Sequence, residues 1–332
     1  MEYNKWRDIK SEYKMRRIKW VDDPIDRVWE WEKDMLENNP ALKVYEEDPF
    51  VAVIQFRDNF WGLHAENADG LGDVWMYLIE GPEKGLLIDT AYGVGDTRAL
   101  VEKLLNGKPY FVANTHVGID HTLGNCRFDK VYCFPGEARK MRLHNEHIWD
   151  YLFDENGNPK WLEFTREDLP VWKPYEIVEV EDGHVFDLGD GYEVEMIWTA
   201  GHAEGHAEFI DKHNRILFCG DNMTMQYGAN GLVDRPNPKP IYGGEHCNYK
   251  SFKNGLEKIM QRYDTFDTVY PQHFKGGYPK EIIPNCLKAV EEILANPEDY
   301  DETYGFVNKD NVYESYRLKH IDGFEGSFAF NI

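Results

Sequence analysis

The sequence predicts an α/β fold in which two similar halves pack sheet to sheet with helices on the outside. Three observations lead there. Apolar runs of strand length alternate with stretches of helical period; the order of elements in the first half recurs in the second; and His and Asp residues stand where four of the apolar runs end. With 332 residues, 42% of them hydrophobic, the chain has enough apolar material for a sizeable core.

Asp22-Asp23-Pro24 opens a helix, with carboxylates at the cap and Pro in the first turn. Ile25, Val28, Trp29, Met35 and Leu36 follow near helical spacing until Asn38-Asn39-Pro40 stops it. Residues 1–46 therefore read as an N-terminal helical arm whose tryptophans cover the domain or a second subunit. The main domain follows over 47–300. Residues 50–56, 74–80 and 86–89 read as strands, with Gly81-Pro82-Glu83-Lys84-Gly85 turning between the last two. Residues 59–67 read as a loop in which Trp61 and His64 either touch substrate or plug the end of the sheet. Asp96 caps a helix that stops at Asn106-Gly107. Strands at 110–113 and 131–133 and a short helix over 137–143 come next. Residues 145–180 are rich in Trp, Pro, Asp and Gly, lack a period, and read as an insertion between the halves. Strands resume at 185–186, 192–198, 207–210 and 215–219, followed by a helix over 249–262, a strand at 268–270 and a helix over 284–294. Residues 301–332 form a C-terminal extension. Its Tyr313, Tyr316, Phe324 and Phe328, together with the arm, exceed what a core needs and suggest a homodimer.

The chemistry gathers in Asn114-Thr115-His116-Val117-Gly118-Ile119-Asp120-His121, directly after the apolar run Tyr110-Phe111-Val112-Ala113. Two histidines and an aspartate so close together suit a borderline divalent cation such as zinc, which takes imidazole nitrogen and carboxylate oxygen together. Alone, the cluster reads equally well as capping residues at a strand end. Gly201-His202, Cys219-Gly220-Asp221 and Gln272-His273 each follow a further strand-like run, so four strand ends converge on one site.

In order and context these residues resemble the metallo-β-lactamase superfamily, whose leading motif Thr-His-x-His-x-Asp-His is followed by a His, a bridging Asp and a last His. Supporting stretches are Tyr77-Leu78-Ile79-Glu80, Leu87-Ile88-Asp89-Thr90-Ala91 and Thr199-Ala200-Gly201-His202-Ala203-Glu204-Gly205-His206. The resemblance implies the αββα sandwich of that family and metal ligands at His116, Asp120, His121, His202, Asp221 and His273. It departs at Gly118, which stands where the family places its second histidine. Position by position, His116 and His202 remain of a first site, and Asp120, His121 and His273 of a second, with Asp221 between them. The expectation is one cation in the second site, zinc first and iron or manganese as alternatives; two cations remain open if His206, His64 or His246 replaces the lost ligand. The catalytic candidates are Asp120, His116, Asp221 and His202, the histidines as general base or oxyanion donor and Asp221 as fourth ligand or base. Tyr227, Lys275, His246 and Cys247 are candidate pocket residues.

A net charge of −23 excludes polyanion partners such as nucleic acid or an anionic membrane surface. Five cysteines without a Cys-x-x-Cys pair indicate neither a thiolate knuckle nor a disulfide framework, and the absence of an apolar signal core or spanning stretch points to a cytoplasmic protein. The expected function is metal-dependent hydrolysis of a small-molecule ester, lactone, thioester, amide or phosphoester. Two alternatives stand beside it: a degenerate binding or regulatory member, and an iron or zinc lyase or redox enzyme.

Overall fold

The computed structural model describes residues 34–70, 72–223, 244–307, 313–323 and 326–330, with the backbone alone at 304–307, 313 and 314. Two sheets dominate. The first has eight strands in chain order: β1 (Leu42–Tyr45), β2 (Asp48–Arg57), β3 (Phe60–Glu66), β4 (Asp73–Glu80), β5 (Gly85–Ile88), β6 (Tyr110–Ala113), β7 (Lys130–Cys133) and β8 (Glu176–Glu179). It is antiparallel as far as β5 and parallel from there on. The second sheet orders β14 (Tyr278–Pro279), β13 (Thr268–Tyr270), β12 (Ile216–Phe218), β11 (Ala207–Asp211), β10 (Glu193–Trp198) and β9 (His184–Asp187), with β12 and β13 parallel.

Period-two alternation sorts the strand side chains into layers. Ala52, Ile54, Tyr77, Ile79, Leu86 and Ile88 of the first sheet share one core with Val194, Met196, Phe209, Ile216 and Phe218 of the second. Their neighbours Val51, Val53, Met76, Leu78 and Leu87 face outward beneath α1 (Thr97–Leu104), which contributes Leu100 and Val101. On the other flank Ile197, Ile210, Leu217 and Val269 lie beneath α4 (Tyr249–Met260) and α5 (Ile282–Ala295), which supply Phe252, Leu256, Ile283 and Val290. Burial on both faces is why these strands read as unbroken apolar runs, and the layering is the αββα sandwich. Asp96 accepts from Ala99 N at the start of α1, and Asn248 accepts from Ser251 N at the start of α4.

The structure corrects three expectations. Residues 59–67 contain strand β3, buried throughout. Trp61 packs in the outer layer beneath α1 rather than over the site, and His64 lies buried 3.5 Å from Asp73. Residues 42–45, read as arm, form the edge strand β1, residues 34–38 are helical, and residues 1–33 of the arm lie outside the described residues. The insertion is less peripheral than its composition suggests: Trp149, Leu152, Phe153, Leu162 and Phe164 enter the central core, and its end supplies β8.

The C-terminal residues form a three-stranded antiparallel sheet, β15 (Glu302–Val307), β16 (Tyr313–His320) and β17 (Ser327–Phe330). Phe328 and Phe330 are buried against Tyr249, and Phe328 also meets Phe252, so this part of the aromatic tail covers the chain's own helix α4. Phe324 and the side chain of Tyr313 lie outside the described residues.

Candidate metal centre

The centre lies where strands of both sheets end. His116 sits in the turn after β6, Asp120 and His121 on the single-turn helix α2 (Ile119–Thr122), His202 in the loop after β10, Asp221 after β12, and His273 after β13. Asn114 shapes the first turn: its amide donates to His121 O at 3.1 Å and pairs with Asn125. Gly220, at φ +55, turns the chain so that Asp221 enters the site, and a Cβ there would lie 2.2 Å from His206 Nε2.

All six expected residues come together. Nε2 of His273, His121, His202 and His116 lies 3.1, 3.4, 3.6 and 3.8 Å, respectively, from an Asp221 oxygen. Asp120 is 3.6 Å from His121 Nε2 and 3.4 Å from His273 Nε2. Two three-residue sets each hold their donor atoms within 4.8 Å of one another: Asp120, His121 and His273; and His116, His121 and Asp221. Gly118 faces the same space, since a Cβ on it would lie 2.6 Å from His116 Nε2, 2.8 Å from His121 Cδ2 and 3.0 Å from Asp120 Oδ1.

A further layer of polar groups holds these donors in place. Asp89 stands 2.9 Å from His121 Nδ1 and accepts from both Thr115 N and Thr115 Oγ1 at 2.8 Å. Fixing Nδ1 leaves His121 Nε2 for the centre, the arrangement that orients metal-bound imidazoles generally. His273 Nδ1 meets Asp73 O, Asn67 donates to Asp120 Oδ2 at 2.9 Å, and Asn222 Oδ1 accepts from His202 N at 3.1 Å. The sequence reading gave none of these supporting residues a role. Asp89 alone left a sign, a carboxylate at the end of the Leu86–Ile88 run.

Crowding separates the proton affinities of His116, His121, His273 and Asp221. Burial, reinforced by His121, holds His116 well below the ordinary imidazole range. Burial opposes the charged form of His121 too, but Asp221, Asp120 and Asp89 together carry it well above that range. His273 is likewise carried against burial, chiefly by Asp221, to about 9. Burial raises Asp221, yet His273, His121 and His116 together bring it well below the carboxylate range. Donor chemistry and inward-facing nitrogens fit a borderline divalent cation, which would balance this carboxylate charge in place of protons.

Other candidates lie elsewhere. His206 Nε2 accepts from Asp221 N at 3.0 Å and so supports the turn. His246 packs edge-on against Trp198 with Glu204 3.8 Å away, and Cys247 is buried. Tyr227 lies outside the described residues. Lys275 lines a cleft of about 380 Å³ with Met35, Ile54, Phe56, Trp75 and Tyr77. That cleft borders the segment carrying His273, because Trp75 Nε1 donates to Phe274 O at 2.8 Å and Tyr77 Oη to Pro271 O at 2.6 Å.

A four-layer αββα sandwich with His and Asp donors converging from the strand ends of both sheets defines a metallo-hydrolase type of scaffold. Residues 69–273 match the model of the metallo-beta-lactamase superfamily, and the chain belongs to that superfamily. Among curated proteins it is 26% identical over 197 residues to the acyl-coenzyme A thioesterase MBLAC2 of Homo sapiens, and equally to that of Bos taurus. Each match covers 48% of this chain and 66% of the relative, just under two thirds of its length. A metallo-beta-lactamase fold-containing protein of Sulfurisphaera tokodaii is 25% identical over 197 residues, covering 56% of this chain and 67% of its own. Among solved structures, the metallo-beta-lactamase from Pontibacter korlensis superposes with a TM-score of 0.50 at 17% identity, covering 73% of this chain and 99% of that one. A metallo-beta-lactamase family protein from Thermus thermophilus does so with a TM-score of 0.50 at 22% identity, covering 74% and 81%. No described helix is long and apolar enough to cross a membrane.

Proposed function

We propose that the protein is a metal-dependent hydrolase of a small thioester or related carboxylic ester, with one cation held by Asp120, His121 and His273 and with Asp221 alongside. The observation that carries this reading is the convergence of those three donors within 4.8 Å while Gly118 offers the centre no side chain. When bound, a divalent cation supplies Lewis-acid chemistry, polarising a carbonyl oxygen and making water nucleophilic near neutral pH. The chain does the rest. His116, kept neutral by burial, takes a proton at Nε2, and His202 stands beside it with ring centroids 4.7 Å apart. Asp120, tethered by Asn67, and His121, backed by Asp89, hold their positions without reorganising.

The thioester class is favoured by the MBLAC2 relatives, and an apolar acyl portion by the aromatic cleft beside His273. Zinc is the first choice of cation on donor type, with iron and manganese next. The five cysteines, all buried and spaced without a Cys-x-x-Cys pair, support a reducing cytoplasmic setting. Homodimerisation rests on the N-terminal aromatics, and a monomer mass by light scattering would end it. A two-cation reading is favoured by one observation, the second donor set of His116, His121 and Asp221.

Elemental analysis of protein purified without added metal, followed by a panel of thioesters, esters, lactones and phosphoesters, tests the proposal. One equivalent of metal with thioester turnover abolished by chelation is the expected result. Full turnover in the chelated protein, or preference for a phosphoester over every carboxylic substrate, would overturn it.

A further inference from the structure

Glu137 lies on α3 (Pro135–Met141), a short helix that belongs to neither sheet, and is fully buried. Its two carboxylate oxygens serve different halves of the molecule. Oε2 accepts from Val117 N at 2.6 Å, and Oε1 accepts from Gly205 N at 2.6 Å. Val117 follows His116 in the turn after β6. Gly205 stands between His202 and His206 in the loop that joins β10 to β11.

We propose that Glu137 is a positioning residue, a strut that sets the spacing of His116 and His202 across the junction of the two halves. These two histidines come from different sheets and lie far apart in the chain. Their rings nevertheless stand edge to face with centroids 4.7 Å apart. The strut has little slack: a Cβ on Gly205 would lie 2.9 Å from Glu137 Cγ and 3.0 Å from Glu137 N, and one on Gly136 would lie 3.1 Å from Gly205 N. Glycine at both positions lets helix and loop backbones touch, so the reach of one glutamate side chain fixes their separation. Two bonds from buried N–H groups to one carboxylate are of the strong, charge-assisted kind. Asn222, whose Oδ1 accepts from His202 N at 3.1 Å, is a second hold on the same loop.

Because the inference rests on the hydrolase reading only for its activity arm, the test has two other arms. Glu137→Gln is isosteric, but its amide nitrogen turns a donor toward one of the two N–H groups. In the metal-free full chain, the ring resonances of His116 and His202 are expected to shift by NMR while that of the distant His147 stays. Titration with Co²⁺ should give an affinity within about threefold of the unsubstituted chain, because Val117 and Gly205 do not carry Asp120, His121 or His273. Turnover should fall on the order of 10–100-fold at little change in KM, the usual effect of a lost supporting partner. Ring shifts with a 10–100-fold loss of Co²⁺ affinity would uphold the strut and overturn the one-cation reading instead, since His116 and His202 would then be ligands. A lowered Tm with unmoved rings and turnover within twofold would overturn the strut and leave Glu137 as packing. If the variant does not fold, amide hydrogen exchange in the unsubstituted chain decides. Val117 and Gly205 are expected to exchange only through global unfolding, and fast native-state exchange at either would refute the proposal.

Discussion

Glu208→Gln should make the protein more stable at alkaline pH and leave it nearly unchanged in acid. Glu208 lies on β11 opposite Ile197, fully buried. Its Oε1 accepts from Asn222 Nδ2 at 3.3 Å, and the Asn222 and Thr199 side chains favour the charged form less than burial opposes it. Burial raises the carboxyl from 4.5 to about 8. Below the lower value the carboxyl is protonated in both folded and unfolded chains, and its favourable contribution is fully present. Between the two values the unfolded chain releases the proton and the folded chain keeps it, so stability falls as pH rises, at about 1.4 kcal/mol per unit. From pH 5 to 7.5 this comes to about 3 kcal/mol, and the contribution is gone once the pH passes the folded value. Glutamine keeps the acceptor for Asn222 and removes the titration. Urea unfolding of both chains in chelator, followed by tryptophan fluorescence at half-unit steps from pH 5 to 8.5, should show free energies that coincide near pH 5 and diverge upward for the variant. Parallel curves would refute the reasoning, because they would mean that Glu208 is ionised or water-linked in the folded chain.

Three further outcomes follow from the centre. His121→Ala should lose both metal and turnover, whereas His116→Ala should keep close to one equivalent of metal and slow turnover on the order of 10²–10⁴-fold; equal metal loss in the two, by elemental analysis, would make His116 a ligand. Gly118→Ala pushes a methyl group against His116, His121 and Asp120, and displacing packed groups by a methylene typically costs about 1–3 kcal/mol. Co²⁺ titration should show a corresponding loss of affinity, and unchanged affinity would mean that the rings do not occupy this space in solution. Ile54→Trp, which narrows the cleft without touching the centre, should lower kcat/KM for long-chain thioesters by roughly tenfold and spare acetyl thioesters; an equal loss for both chain lengths would remove the cleft from the substrate's path.

Much of this arrangement was legible in the residues because it depends on local order. Buried parallel strands must be apolar on both faces, so 86–88, 110–113 and 216–218 stood out, and candidate donors stand after the last two. Strand β3 was illegible for a reason of packing. Gly62 looks like a loop residue, but a Cβ there would lie 2.5 Å from Phe56 and 2.8 Å from Trp75, so aromatic rings of neighbouring strands demand the glycine. Strand β1, Leu-Lys-Val-Tyr, is short and half-exposed, and only its pairing with β2 identifies it. Glu137 resembled any acid in the first turn of a helix, and its role depends on a loop nearly seventy residues later in the chain. The insertion misled in the opposite sense, because aromatics spaced without a period can still fill a core when the chain carrying them is irregular.

Asp221 contacts histidines that are 157 positions apart in the chain, from His116 to His273. A nascent chain that has built only its first sheet owns half of the candidate centre and would hold a cation only weakly. Contacts of such sequence separation close late, after most of the loop entropy has been lost. A cation that binds the docked halves and not the separate ones therefore acts as a latch on assembly, stabilising the finished chain in proportion to the logarithm of its concentration. Metal supply during synthesis, and not only during turnover, would then set how much of the protein survives to work.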